Sequence, residues 1–301
     1  MALTDTGTGS RERTLTLRFI TPFVNENFYG TVKKGMADAA RLFGAECTFV
    51  GTEELDLAEQ MRLMDEAEGE AVDGIALNIL DPTALNDAIA RTMRGGVPVV
   101  AFNVDASKGA AGHLSFVQQD LYGAGRVMGA RAEPNLAPGA RVLITVHSAG
   151  VSALEDRVRG MQEMIRVKEV TWDVLTAGNT PVLAEATIAD ALRADPSIDA
   201  VLSTGQADTE GAGLAAVGEF RGRGLYVAGF DLSPQVLDLI RKGVIDFTVD
   251  QQPYLQGFMP VLQLVFYLRY GIRPCNIDAG ATIIDRSNVD AVIELTKDGY
   301  R

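Results

Sequence analysis

The sequence predicts an α/β protein of two lobes, each a mostly parallel sheet flanked by helices, and three observations carry that expectation. From residue 14 onward, short β-branched runs alternate with longer amphipathic ones. The series then starts again. Gly35-Met36 and Gly160-Met161 stand 125 residues apart, Asp73 and Asp199 126, and Phe102 and Phe230 128. Convergent patterning accounts for any one such match, but a nearly constant offset over three landmarks points to two lobes of like topology. Length agrees: 301 residues exceed one ordinary core and suit two.

The elements follow in order. "TLTLRFI" is a strand, residues 28 to 43 an amphipathic helix, and "CTFVGT" a second strand. Next come a helix over 56 to 68, the strand "GIALNI", a helix over 82 to 94, and the strand "VPVVAFN". The second series opens with "RVLITVHSAG" and continues through "IDAVLSTGQADTEGAGLAAV" and "LYVAGFDLSP". "GAGRVMG" at 123 to 129 has the look of a dinucleotide loop, but no strand precedes it, so it is expected as a close-packed helix. Trp172 is expected in a core or edge strand. Near the end, an alternation around Phe247 and Val249 runs into Asp250, Gln251 and Gln252 before Pro253 and Tyr254 open a helix. Three strongly polar side chains at a strand end require hydrogen-bond partners.

Composition excludes several classes. The chain is 47% apolar and 22% charged, with no apolar run near the length of a membrane span. Twenty-seven basic against forty acidic residues give a net charge of −13, which argues against nucleic acid or an anionic membrane surface and favours neutral or cationic partners. Cys47 and Cys275 sit in no CxxC or Cys/His spacing and are expected as free thiols. His113 and His147 each stand apart from any Cys or acidic cluster, so neither a metal nor a cofactor is expected. "SAGVS" at Ser148 lacks the frame of a nucleophile turn. The polar first thirteen residues show no signal-peptide pattern, which fits either a cytoplasmic protein or an exported one without its leader.

In open parallel sheets, ligands sit beyond the C-terminal ends of the strands. The polar residues of this chain cluster there: "NENFY", "NVD" from Asn103 to Asp105, "HSAGVSALEDR", "TGQADTE", "FDLS" and "VDQQPY".

The ordered set "VDGIALNILDPTAL", "GVPVVAFNVDASKG", "GFDLSPQVLDLIRKGVIDFTVDQQPYLQGF" and "GIRPCNIDAG" resembles the periplasmic solute-binding proteins of sugar ABC importers, type I fold, of the ribose- and galactose-binding kind. The likeness covers roughly residues 14 to 285. It implies two Rossmann-like lobes joined by a three-stranded hinge and closing over a sugar. The N-terminal lobe would take 14–117 plus 252–281, and the C-terminal lobe 118–251 plus 282–301. Carried over by position, ligand contacts fall on Asn25, Phe28, Tyr29, Asn103 and Asp105, and on Arg157, Gln206 or Asp208, Asp231 and Gln251. Carboxylates and amides share hydroxyl protons, an Arg offers a planar fork of N–H groups, and rings cover C–H faces.

Other roles remain open for some of these. Phe28 and Tyr29 also fit a helix-start pair packed on the core, Asp231 a helix N-cap, and Arg157 a surface ion pair with Glu155 or Asp156. The chain departs from the pattern in carrying Asn103-Val104 where relatives have Asp-Arg, and "AGNTPVL" where ribose binders place an aromatic. A smaller or acyclic polyol, or a modified pentose, fits those departures. The resemblance thus implies a carrier and not an enzyme, located in the periplasm, that binds a small-molecule sugar or polyol, serves an ABC transporter permease, acts as a monomer, and binds no nucleic acid. The alternatives are a sugar-sensing effector domain, which needs about sixty residues of helix-turn-helix ahead of the first strand where thirteen stand here, and an enzyme on the same sheet.

Overall fold

A computed structural model describes residues 13–24, 26–53, 55–81, 83–148, 152–165 and 169–301. The described residues form two compact units. One holds the chain up to Gln119, then Pro253–Ala279 and Tyr300; the other holds Asp120–Gln252, Gly280–Gly299 and Arg301.

The first unit begins with β1 (Leu15–Ile20), α1 (Glu26–Phe43), β2 (Ala45–Val50), α2 (Leu57–Gly69), β3 (Gly74–Ile79), α3 (Asn86–Arg94), β4 (Val99–Asp105) and β5 (Phe116–Gln118). The second follows with α4 (Leu121–Ala132), β6 (Arg141–Val146), α5 (Ser152–Ile165), β7 (Thr171–Thr176) and α6 (Pro181–Ala194). It continues through β8 (Ile198–Ser203), α7 (Gln206–Val217), β9 (Tyr226–Phe230), α8 (Pro234–Lys242) and β10 (Phe247–Asp250). Then α9 (Pro253–Tyr270) and β11 (Ile277–Asp278) return to the first unit, and β12 (Thr282–Asp285) and α10 (Val289–Lys297) to the second. Among the described residues no helix is long and apolar enough to cross a membrane.

The sheet orders are β11-β5-β4-β3-β1-β2 and β12-β10-β9-β8-β6-β7. These match strand for strand, and the starts of the first four strands in chain order lie 124 to 127 residues from their counterparts. Two like lobes are therefore observed. Only the last strand differs, since β11 runs parallel to β5 while β12 runs antiparallel to β10. Central β3 and β4 are buried along their whole length because helices cover both faces, whereas edge strand β2 is not. Trp172 lies half-buried on edge strand β7.

Local chemistry explains the element ends. The third helix starts at Asn86 and not at 82, because the Asp81 carboxylate accepts from the Thr83 and Ala84 amides at 2.8 and 2.7 Å and holds that stretch in a turn. Asp56, Asp120, Thr180 and Ser233 cap α2, α4, α6 and α8 through side-chain oxygens. Glycines set the helix packing. A Cβ on Gly257 would overlap the Val32 carbonyl, and one on Gly35 the Tyr254 carbonyl, so α1 and α9 cross backbone to backbone. Gly125 and Gly160 do the same for α4 and α5, against the carbonyls of Arg157 and Tyr122. "GAGRVMG" is thus the close-packed helix its sequence context predicts.

Candidate ligand-binding site

In the second unit, the C-terminal ends of β6, β8, β9 and β10 gather the expected polar residues. Arg157 reaches in from α5 and is 4% exposed. Its Nη1 donates to the Thr204 carbonyl at 2.6 Å and stands 4.0 Å from Asp231 Oδ2, and its guanidinium carbon lies 4.1 Å above the Phe230 ring centroid. It forms no surface pair. Burial pulls the guanidinium pKa down, and the carboxylates of Asp231 and Asp208 oppose this.

Asp231 is the residue after β9 and adopts φ 69°, a left-handed backbone that an Asp tolerates better than most side chains. The cap of α8 is Ser233, two residues on, so the Asp231 carboxylate is free of that duty. Asp231 Oδ1 accepts from Gln251 Nε2 at 2.5 Å. Burial raises its pKa, against the pull of Arg157 and Gln251.

The two alternatives on α7 differ in their surroundings. Asp208 is fully buried, and its Oδ2 accepts from the Thr204 amide at 2.9 Å and the Thr145 hydroxyl at 2.8 Å, tying the end of β8 to β6. Burial pushes its pKa up to about 7. The Gln206 side chain, at the start of α7, makes a 3.4 Å contact with Glu210, while its backbone amide hydrogen-bonds the Asp231 carboxylate. The polar strand end at 250 to 252 also finds its partners: Asp250 pairs with Arg301 and accepts from the Gln252 amide at 2.9 Å, while Gln251 holds Asp231.

In the first unit, Tyr29 is 1% exposed within a ring cluster of Phe28, Phe49 and Phe102. Its hydroxyl accepts from Asn78 Nδ2 at 2.8 Å, and burial raises its pKa to about 12. Phe28 is half-buried with its ring edge on Tyr29. Asn103, at φ 63°, accepts from Asn78 Nδ2 at 3.1 Å and donates to Gln256 Oε1 at 2.9 Å. Asp105 accepts from the Ser107 hydroxyl and lies 3.0 Å from His113 Nε2. Burial opposes ionisation of Asp105, yet His113 and Ser107 hold its pKa below the usual range. His113 is therefore no isolated histidine: both its side chain and that of Asp105 are buried, and the loop between them brings together two residues eight positions apart. Asn25 lies outside the described residues.

Sequence reasoning did not single out Asn78 or Thr204. Asn78 sits inside the apolar run "GIALNI", where a buried amide is the only signal that a network is near. Thr204 contributes through its backbone, which no side-chain pattern reveals.

Comparison with known proteins follows the same lines. A family model described as periplasmic binding protein domain matches residues 17–271. The chain is 28% identical over 288 residues to the xylose/arabinose-binding protein XylF of Sulfolobus acidocaldarius, covering 90% of this chain and 71% of XylF. It is 26% identical to the ribose import binding protein RbsB of Bacillus subtilis, over 78% of this chain and 75% of RbsB. The crystal structure of a carbohydrate transporter from Acidothermus cellulolyticus in complex with myo-inositol superposes with a TM-score of 0.85 at 31% identity, covering 96% of this chain and 100% of that one.

Proposed function

Since this chain belongs to the periplasmic binding protein domain family, we propose that it is the solute-binding component of an ABC importer, capturing a neutral sugar or polyol and delivering it to a permease. The observation that carries this reading is the buried set of Arg157, Asp231 and Gln251 at the strand ends of the second unit. One guanidinium facing a carboxylate cancels charge locally. What remains is a set of fixed donors and acceptors, the pattern a polyhydroxylated neutral ligand satisfies.

We carry over from the family resemblance the ligand contacts Phe28, Asn103, Asp105, Arg157, Gln206, Asp231 and Gln251, and closure about the hinge. Tyr29 acts in support, since its hydroxyl is engaged inside its own unit; Asp208 Oδ2 is likewise held by Thr204 and Thr145, but its Oδ1 has no partner among the described residues, and Asp208 stays a ligand contact. The protein works in the periplasm as a monomer, without cofactor or catalysis. The net charge of −13 disfavours a nucleic-acid partner.

A thermal-shift panel of myo-inositol, xylose, arabinose, ribose and galactose tests this. Ligand at about a hundred times its Kd stabilises by about 2.7 kcal/mol, several degrees in a chain of this size. One or more neutral members should raise the melting temperature. No shift with any of them, or turnover of the bound compound to product, would sink the reading.

A further inference from the structure

His147 follows directly after β6, in the same polar set as Arg157 and Asp208, and no role described above uses it. Its Nδ1 lies 3.0 Å from Ser148 Oγ. Nε2 has no hydrogen-bond partner among the described residues, and it is not among the fully buried polar atoms left unsatisfied, so it is not completely sealed from solvent. The ring's seat depends on Gly205, the residue before α7: a Cβ there would stand 3.0 Å from His147 Cδ2 and 3.2 Å from Asp208 Oδ1. Any side chain at 205 would crowd both groups.

We infer that His147 is a further ligand-contacting residue, whose Nε2 hydrogen-bonds one hydroxyl of the neutral sugar or polyol. This rests on the carrier reading above. Burial, and next to it the charge of Arg157, pull the imidazole pKa down to about 4, so the ring is neutral at physiological pH. A neutral imidazole presents one donor and one acceptor. Because the Ser148 hydroxyl can either donate to Nδ1 or accept from it, Nε2 is free to take either role. A ligand hydroxyl suits both. A carboxylate or ammonium suits one only, and an anionic sugar acid would also meet Asp208 and Asp231. His147 thus adds recognition without adding charge, which selects uncharged ligands.

Calorimetry on the full chain, with myo-inositol, xylose, arabinose, ribose and galactose as separate probes, tests this. For a probe the parent binds, His147→Ala should weaken affinity about tenfold or more, while His147→Gln, which keeps a polar atom near the Nε2 position, should stay within about threefold. The chain has two histidines, so 15N imidazole spectra can read His147 Nε2 directly; its resonance should move on saturation. Unchanged affinity in His147→Ala, or an unmoved resonance, overturns this inference while the carrier reading stands. Should His147→Ala prove unstable, the Gln variant and the spectra decide alone. If the parent binds none of the probes, the carrier reading falls and this inference with it.

Discussion

Replacing Arg157 by Met removes a buried charge while nearly keeping the volume, and the structure lets its cost be worked out. The 4.0 Å separation from Asp231 is worth about 4 kcal/mol of gross attraction at an effective dielectric near 20. The 2.6 Å bond to the Thr204 carbonyl adds about 1.5–3 kcal/mol, and the contact over Phe230 up to about 2 kcal/mol. Relief of guanidinium desolvation offsets much of this, and one-sided removal of a buried partner nets about 3–5 kcal/mol. Because Gln251 still holds Asp231, and Asp231 can take a proton, we expect the low end, about 3 kcal/mol. The proton supplies a second readout. Burial already raises the folded-state pKa of Asp231 above its unfolded value, so this group's contribution is most favourable below the unfolded pKa and is lost as pH rises through the folded one. Without Arg157 the rise is larger. The deficit of Arg157→Met should therefore be smaller at pH 5 than at pH 8. Urea unfolding of the unliganded protein, followed by the fluorescence of Trp172, reads the second unit alone, since this is the one tryptophan and it lies on β7. A deficit under about 1 kcal/mol at pH 8, or the same deficit at both pH values, refutes the buried-pair account.

Asp231→Asn should weaken ligand binding by about 1.5–3 kcal/mol in calorimetry, and undiminished affinity would remove Asp231 from the site. Gln251→Ala frees Asp231 Oδ1 and should also weaken binding; a ligand-induced fall in radius of gyration, expected for hinge closure, should survive in this variant. Gly257→Ala pushes a methyl into the Val32 carbonyl and should cost about 1–3 kcal/mol or more, so a variant melting with the parent would show that α1 and α9 do not cross so closely. Asp105→Asn should destabilise the first unit by about 1–3 kcal/mol at pH 7. The depressed pKa of Asp105 gives stability that is present above its unfolded value and lost as pH falls through the folded one, so parent and variant should converge only as pH falls below the ordinary Asp range. A gap that persists in acid would point to packing instead.

Much of this protein is written in local pattern. Alternation and turn chemistry place the strands within a few residues, because period and capping are short-range properties. The repeat at an offset near 126 follows from landmarks such as Asp73 and Asp199, whose carboxylates accept the Thr16 and Arg141 amides at the strand starts of the two lobes. The family, too, is legible from "GFDLSPQVLDL" and its neighbours in order. What the sequence could not decide is which polar atoms are spent inside the protein. Arg157 beside Glu155 and Asp156 suggests a surface pair, yet it turns inward onto Phe230 and Thr204. Gln206 and Asp208 are two residues apart and equally polar, but only Asp208 meets Thr145, 63 residues away. Likewise Asp105 meets His113, and Gln251 meets Asp231, through pairings of strands and loops that no local window contains. Sequence determined where polar groups stand along the chain, because period and turn chemistry act over a few residues. Tertiary structure alone decided which of them pair inside the protein, because that depends on partners brought together from distant strands.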